Sequence, residues 1–264
     1  MKATTPLFTR WARRLIDPPA AVAAVPAVPA ESSLEALEAL EALEALALGA
    51  CSAEYRAWRR GRGGVYFALK RALDIGVALL ALILSAPLLA LIAALIWLED
   101  GGSVIYTRQV IGERGRLFMM FKFRTMCEQA EELLQQDAAL MAEYQRQHFK
   151  LRRDPRVTRL GQTLRKYSLD ELPQFFNILV GRMSLVGPRA VPLTDIEQFG
   201  EVAALRAWVR PGLSGLWQVS GRSDTTYAER IRLDREYVER CSLGLDLRIL
   251  LRTLPAVARG VGAY

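Results

Sequence analysis

The sequence predicts an α+β protein that is mainly helical: a membrane-embedded, re-entrant helix-break-helix hairpin, followed by a cytoplasmic domain built on a small β-hairpin and interfacial amphipathic helices. Three observations carry this expectation. Ile75 to Leu98 is a run of 24 residues without a formal charge, interrupted by Pro87. Val104 to Ile111 and Leu117 to Thr125 are strand-like segments around Gly112-Glu113-Arg114-Gly115, which reads as a hairpin. Helical segments are expected at Cys127–Phe149, Leu169–Leu179, Leu193–Val209, Thr225–Cys241 and Leu245–Val261. Only one short sheet is evident. The chain therefore divides into an extension over 1–64, a membrane-embedded segment over 65–100 and a cytoplasmic domain over 101–264.

The extension differs in composition from everything after it. Pro18 to Ala30 is rich in Ala, Val and Pro and reads as an extended linker, without the length or flanks of a secretory signal. Between Ser33 and Ala50, Leu34, Leu37, Leu40, Leu43 and Leu46 recur every three residues. A period of three slips about 60° per repeat against a 3.6-residue turn, so the leucines wind around a helix and no stable coiled coil is indicated. Glu35, Glu38, Glu41 and Glu44 either approach the basic segment that follows or belong to a solvated helix.

The apolar run is long enough, at about 1.5 Å per residue, to cross a hydrocarbon core of about 30 Å. Arg56, Arg59, Arg60, Arg62, Lys70 and Arg71 precede it, and Arg108, Arg114, Arg116, Lys122 and Arg124 follow it. Both flanks are thus basic, and the positive-inside rule places both in the cytoplasm. A straight span cannot do that, whereas a helix broken at Pro87 can return to the face it left, with Ser85 as a partner for the freed backbone groups. A kinked spanning helix is the alternative.

Further along, Asp170 and Glu171 are adjacent carboxylates, flanked in sequence by Arg165 and Arg189. Ser168 stands three residues before Glu171, so the segment also reads as a capping box that merely starts a helix. In Phe121-Lys122-Phe123-Arg124-Thr125, strand alternation puts Lys122 and Arg124 on one face, available to a phosphate or to solvent. Arg189 and Arg210 each adjoin a proline and are candidate phosphate ligands; Arg165, just before the expected helix, is a weaker one. With a formal net charge of +7 and a pI near 9.6, the chain suits an anionic membrane surface or phosphorylated substrates. Cys51, Cys127 and Cys241 lack metal or redox spacing and His148 is the only histidine, which makes zinc and a histidine base poor hypotheses. Carboxylates favour magnesium.

Several of these elements recur together in one family. Lys70-Arg71 with Asp74, the Pro-broken run, Lys122-Phe123-Arg124-Thr125-Met126, Ser168-Leu169-Asp170-Glu171-Leu172-Pro173-Gln174, Ser184-Leu185-Val186-Gly187-Pro188-Arg189, Val209-Arg210-Pro211-Gly212 and Trp217-Gln218-Val219-Ser220-Gly221-Arg222 fall in the order seen in bacterial sugar transferases. From about Val65 to Tyr264 the chain resembles the monotopic polyprenyl-phosphate phosphoglycosyl transferases. It departs from them at Ser85-Ala86-Pro87, where the serine usually adjoins the proline, and at Ala190, where a second proline is common.

The resemblance implies transfer of a hexose 1-phosphate from a UDP-sugar to undecaprenyl phosphate, releasing UMP. Asp170 is the implied nucleophile, and Glu171 holds magnesium or assists the acceptor. A carboxylate with an ordinary pKa of about 3.9 is ionised at neutral pH and needs no base to attack. The resemblance also leans to UDP-galactose or UDP-glucose and to the bacterial inner membrane with the catalytic domain in the cytoplasm, and leaves a homodimer open. Leu245–Val261, which mixes leucines with Arg248, Arg252 and Arg259, reads as a helix in the headgroup plane or as a core helix with a basic face. A noncatalytic membrane adaptor is the rival from another class, and direct transfer without a covalent intermediate is the rival mechanism. No nucleic-acid partner is expected.

Overall fold

The computed structural model describes residues 44, 46, 49, 52–146, 151, 154–221 and 225–259; the linker and most of the leucine repeat lie outside them. A helix of 48 residues, α1 (Ala53–Asp100), opens the described chain. Ser52 caps it by accepting the Tyr55 N–H. The backbone stays helical through Pro87 and leaves helical dihedrals only at Gly63 (φ 70°, ψ 154°). Pro87 thus does not interrupt the helix, because its fixed φ is itself helical and the missing donor leaves only the Ile83 carbonyl without its partner. Ser85 Oγ donates to the Ala81 carbonyl at 2.6 Å, one turn back, and not to that freed carbonyl. Gly63 can take the mirror-region angles because it has no Cβ to clash.

By length and composition α1 could cross a membrane, and only 11 % of its most apolar window is buried inside the protein. Leu80, Ile83, Leu84, Leu91 and Leu98 all face outward. Yet each end of the apolar run is fixed to the rest of the chain. On the N-terminal side, Arg71 donates to the Ile178 and Leu179 carbonyls, and Asp74, 2 % exposed, accepts from Ser184 Oγ and the Leu185 N–H. On the C-terminal side, Ile92 and Ile96 pack with Phe123 and Leu164, and Asp100 pairs with Arg124.

The expected hairpin forms. Strand β1 (Ile105–Ile111) pairs antiparallel with β2 (Leu117–Phe123), Ile105 opposite Phe123 and Ile111 opposite Leu117. The expected helix Cys127–Phe149 is two, α2 (Ala130–Gln136) and α3 (Ala138–Arg146). Asp137 divides them, its carboxylate accepting the N–H groups of Ala139 and Leu140 in place of a continuing ladder. A further helix, α4 (Arg159–Lys166), was not among those expected; Thr158 caps it.

Leu169–Leu179 is likewise not one helix. A 3-10 turn at Leu169–Glu171 precedes α5 (Gln174–Leu179), and the capping box is absent: Ser168 has φ 55° and no side-chain cap bond. Leu193–Val209 resolves into a 3-10 segment (Leu193–Phe199) and a short α6 (Val202–Arg206). A second sheet, not foreseen, pairs β3 (Ser184–Val186) parallel with β4 (Gly212–Ser214). Strands of three residues are too short to display alternation. Helices α7 (Tyr227–Arg240) and α8 (Leu243–Arg259) fall close to their expected places. The main core joins Ile178, Val186, Tyr237, Val238 and Ile249.

Candidate active site

The dyad sits on the turn between α4 and α5. Ser168 adopts the left-handed region, unusual for a residue with a Cβ, and this bend carries the chain from α4 into the 3-10 turn that bears Asp170 and Glu171. Asp170 is 8 % exposed.

Asn177 aligns the turn with the hairpin. Its Oδ1 accepts the Phe121 N–H at 3.0 Å and its Nδ2 donates to the Met119 carbonyl at 2.8 Å, so the side-chain amide satisfies the edge of β2 that β1 leaves free. Lys122 is thereby brought to the dyad, its Nζ 2.8 Å from Glu171 Oε1 and 3.8 Å from Asp170 Oδ2. Replacing Asn177 with leucine strands a buried donor and a buried acceptor, each costing about 1–3 kcal/mol. The expected result is a loss of about 2–4 kcal/mol in urea unfolding. A midpoint equal to wild type would show that the amide does not hold the two elements together.

A second cation arrives from the opposite side: Arg189 Nη2 lies 2.6 Å from Glu171 Oε1. Its loop is fixed by backbone contacts, with Gly212 N–H donating to the Pro188 carbonyl at 2.8 Å and Gly187 N–H to the Ser214 carbonyl at 2.9 Å. Beneath it, buried Arg206 donates to the Arg189 carbonyl and pairs with buried Asp234. Another buried network anchors the same loop to α1, because Lys70 Nζ donates both to the Val186 carbonyl and to Asp246, and Tyr237 Oη bonds the same two groups.

The two carboxylates differ in electrostatic state. For Glu171, burial alone would raise the pKa, but Arg189 and Lys122 hold it well below the usual carboxylate range. For Asp170, burial raises the pKa, Lys122 opposes the rise, the charge of Glu171 adds to it, and Arg189 and Arg165 oppose it further. Glu171 is a fixed anion inside an ion-pair cluster. Asp170 is a partly desolvated carboxylate with Lys122 beyond hydrogen-bond reach, the state in which a carboxylate is most nucleophilic once ionised.

Lys122 is the largest influence favouring ionised Asp170. Removing its charge in Lys122→Met therefore raises the Asp170 pKa further, and the acid limb of kcat/KM should move to higher pH. The kcat/KM–pH profile reads this directly; a limb that stays in place would separate the limb from Asp170.

Four of the residues singled out in the sequence thus meet: Lys122, Asp170, Glu171 and Arg189. Arg165 donates to Thr125 Oγ1 at 2.9 Å and is near enough for its charge to act on Asp170. Arg124 and Arg210 are engaged elsewhere. β2 ends at Phe123, so Arg124 leaves the strand and pairs with Asp100, while Arg210 Nε lies 3.2 Å from Glu113 Oε2. Asn177, Arg206, Asp234 and Asp246 escaped the sequence reading. The only visible signal was polarity in apolar surroundings, as in Gln174-Phe175-Phe176-Asn177-Ile178-Leu179.

Among the described residues, no cluster of three or more His, Cys, Asp or Glu side chains could hold a metal alone. Two adjacent carboxylates do fit magnesium, which is commonly held by one or two carboxylates together with substrate phosphates and water.

The family model described as bacterial sugar transferase matches residues 65–260. The chain is 46 % identical over 198 residues to the exopolysaccharide production protein ExoY of Rhizobium meliloti, covering 74 % of this chain and 88 % of that protein. It is 42 % identical over 203 residues to an undecaprenyl-phosphate galactose phosphotransferase of Salmonella typhimurium, covering 74 % of this chain and 42 % of that one. With an undecaprenyl-phosphate glucose phosphotransferase of Komagataeibacter xylinus it shares 38 % identity over 198 residues, 70 % of this chain and 35 % of the relative.

Proposed function

The chain belongs to the bacterial sugar transferase family, and from that premise we propose that it is a phosphoglycosyl transferase. It moves a hexose 1-phosphate from a UDP-sugar to undecaprenyl phosphate and releases UMP, an initiating membrane step of exopolysaccharide synthesis. The observation that carries the reading is the unequal dyad: Asp170, buried and without a hydrogen bond from Lys122, beside Glu171, locked between Lys122 and Arg189.

In the first step an Asp170 Oδ attacks the phosphorus that bears the sugar, the bond from that phosphorus to the bridging oxygen breaks, and UMP leaves with the bond's electrons. An oxygen of the lipid phosphate then attacks the same phosphorus, the aspartyl oxygen–phosphorus bond breaks, and the carboxylate is restored with polyprenyl diphosphate-sugar as product. Lys122 and Arg189 lower the repulsion between an anionic nucleophile and an anionic diphosphate, and stabilise charge on the transferring phosphoryl oxygens. Glu171 keeps both cations in place. Magnesium, held by Glu171 and Asp170 with donor phosphates, would supply further charge neutralisation when bound.

Features of α1 and α8 support placement at the cytoplasmic face of the inner membrane. Arg71 and Asp74 before the apolar run and Asp100 after it are all tied to one polar domain, which supports both flanks of the run lying on one side of the membrane, with α1 bending at Pro87 while its dihedrals there stay helical. Along α8, Leu247, Leu251 and Leu254 are exposed at helical spacing, which suits a helix lying in the interface.

The test is to incubate the membrane-purified protein with magnesium, undecaprenyl phosphate and a panel of UDP-sugars and to follow UMP. Release with UDP-galactose or UDP-glucose, lost on chelation with EDTA, is the expected result. No UMP from any sugar, with the protein folded in membranes, would favour the adaptor reading.

A further inference from the structure

A cleft of about 440 Å³ opens between the C-terminal end of α7 and the first turns of α8, lined by Leu216, Arg240, Ser242, Leu245, Arg248 and Arg252. That volume lies within the range of small-ligand sites. None of its lining residues belongs to the dyad or to the cations that hold it. Three arginines face it against one acid, Glu236, which is shared with Arg232 and Arg240 on α7. Arg248 and Arg252 form no ion pair or hydrogen bond among the described residues. Two unpaired guanidinium groups in one cleft constitute an anion site in search of phosphate or carboxylate oxygens.

The position of those arginines on the helix narrows the ligand. Asp246 and Ile249, each 1 % exposed, fix the inward side of α8, Asp246 through Tyr237 and Lys70. At about 100° per residue, Leu247, Leu251 and Leu254 then share an outward stripe about 60° wide, while Arg248 and Arg252 stand about 100–140° around from Leu247, between the stripe and the core. The three leucines are 54, 62 and 71 % exposed. If the stripe enters the acyl layer, the arginines come to headgroup depth with the cleft behind them. A soluble anion would leave the leucines without purpose. A phospholipid uses both features at once.

We propose that this cleft binds the phosphate headgroup of an anionic phospholipid of the surrounding membrane, at a site separate from that of the lipid acceptor. The proposal rests on the membrane-facing reading of α8 and not on the chemistry at Asp170, so the two can fail independently. A lipid held here fixes the tilt of α8 and of the domain attached to it relative to the bilayer.

The full chain, extracted in mild detergent, is to be mixed with equal amounts of phosphatidylglycerol and phosphatidylcholine, and retained lipid counted by native mass spectrometry. Wild type should retain phosphatidylglycerol in preference. An arginine near an anionic surface contributes about fivefold, so Arg248→Gln with Arg252→Gln should reduce that preference on the order of twentyfold. Both side chains are exposed and unpaired, so an unchanged melting curve should accompany the loss. Arg248→Lys with Arg252→Lys, which keeps the charge, should keep most of the preference. Equal retention of the two lipids by wild type, or an unchanged preference in the glutamine variant, overturns the proposal. So does displacement of the bound lipid by inorganic phosphate alone, which would reveal a simple anion site, or one-for-one displacement by undecaprenyl phosphate, which would make the cleft the acceptor's seat.

Discussion

Asp170→Asn is expected to reduce UMP release by at least about a thousandfold while leaving the protein as stable as before or slightly more so. The loss follows from chemistry, since an amide of the same shape carries no nucleophilic oxygen and the neighbouring Glu171 carboxylate is held by Lys122 and Arg189. Retained stability follows from linkage. Asp170 has a folded-state pKa raised by burial, so above its unfolded pKa its ionised form opposes folding, and a neutral isostere removes that opposition. Glu171→Gln should behave in the opposite way. Its folded-state pKa is depressed, so its contribution to stability is present above the unfolded pKa and fades as pH falls toward the folded one. Removing that charge leaves Lys122 and Arg189 beside each other without their anion. Thermal unfolding near neutral pH and UMP release, measured on both variants, separate these expectations. Substantial UMP release by Asp170→Asn would place the nucleophile elsewhere.

The second large effect is expected at Gly212→Ala. A Cβ on Gly212 would stand 2.1 Å from the Gly187 nitrogen, 2.4 Å from the Ser214 oxygen and 2.6 Å from the Gly187 oxygen. All three are backbone atoms, so no side chain can swing aside. The Gly187 contacts can be relieved only by moving the end of β3 away from β4, which also moves the Pro188 carbonyl and the Arg189 loop bonded to it, and the Ser214 contact only by distorting β4 itself. A loss of about 3 kcal/mol or more is expected, with UMP release falling in step because Arg189 no longer meets Glu171. Gly244→Ala is the contrast: a Cβ there has nothing within 4 Å, and alanine in a helix costs less entropy than glycine, so stability should hold or rise by up to about 1 kcal/mol. Urea midpoints for the two variants give the comparison. A Gly212→Ala protein with the wild-type midpoint would mean that the β3–β4 contact is looser than described.

How far the sequence could be read depended on the range of the forces involved. The hairpin was legible because two segments rich in β-branched and aromatic residues flank the turn-forming Gly112-Glu113-Arg114-Gly115, and α7 was legible because Thr226 caps a periodic run. Ser168 misled. Its spacing from Glu171 matches a capping box, but packing bends it into the left-handed region and turns the following residues into a 3-10 turn. Lys122 and Arg124 looked equivalent by strand alternation, yet the strand ends between them and gives each a different carboxylate.

By itself the sequence determined the family, the apolar run with its basic flanks, and a set of candidate residues that includes the four groups meeting at the site, because composition and motif order are properties of the chain alone. Only the tertiary structure decided which carboxylate is the fixed anion and which the desolvated one. That distinction depends on Lys122 and Arg189, 49 and 18 residues from Glu171, both closing on the same Glu171 oxygen. Electrostatic state follows distance in space and burial, and neither is written in the spacing of residues along the chain.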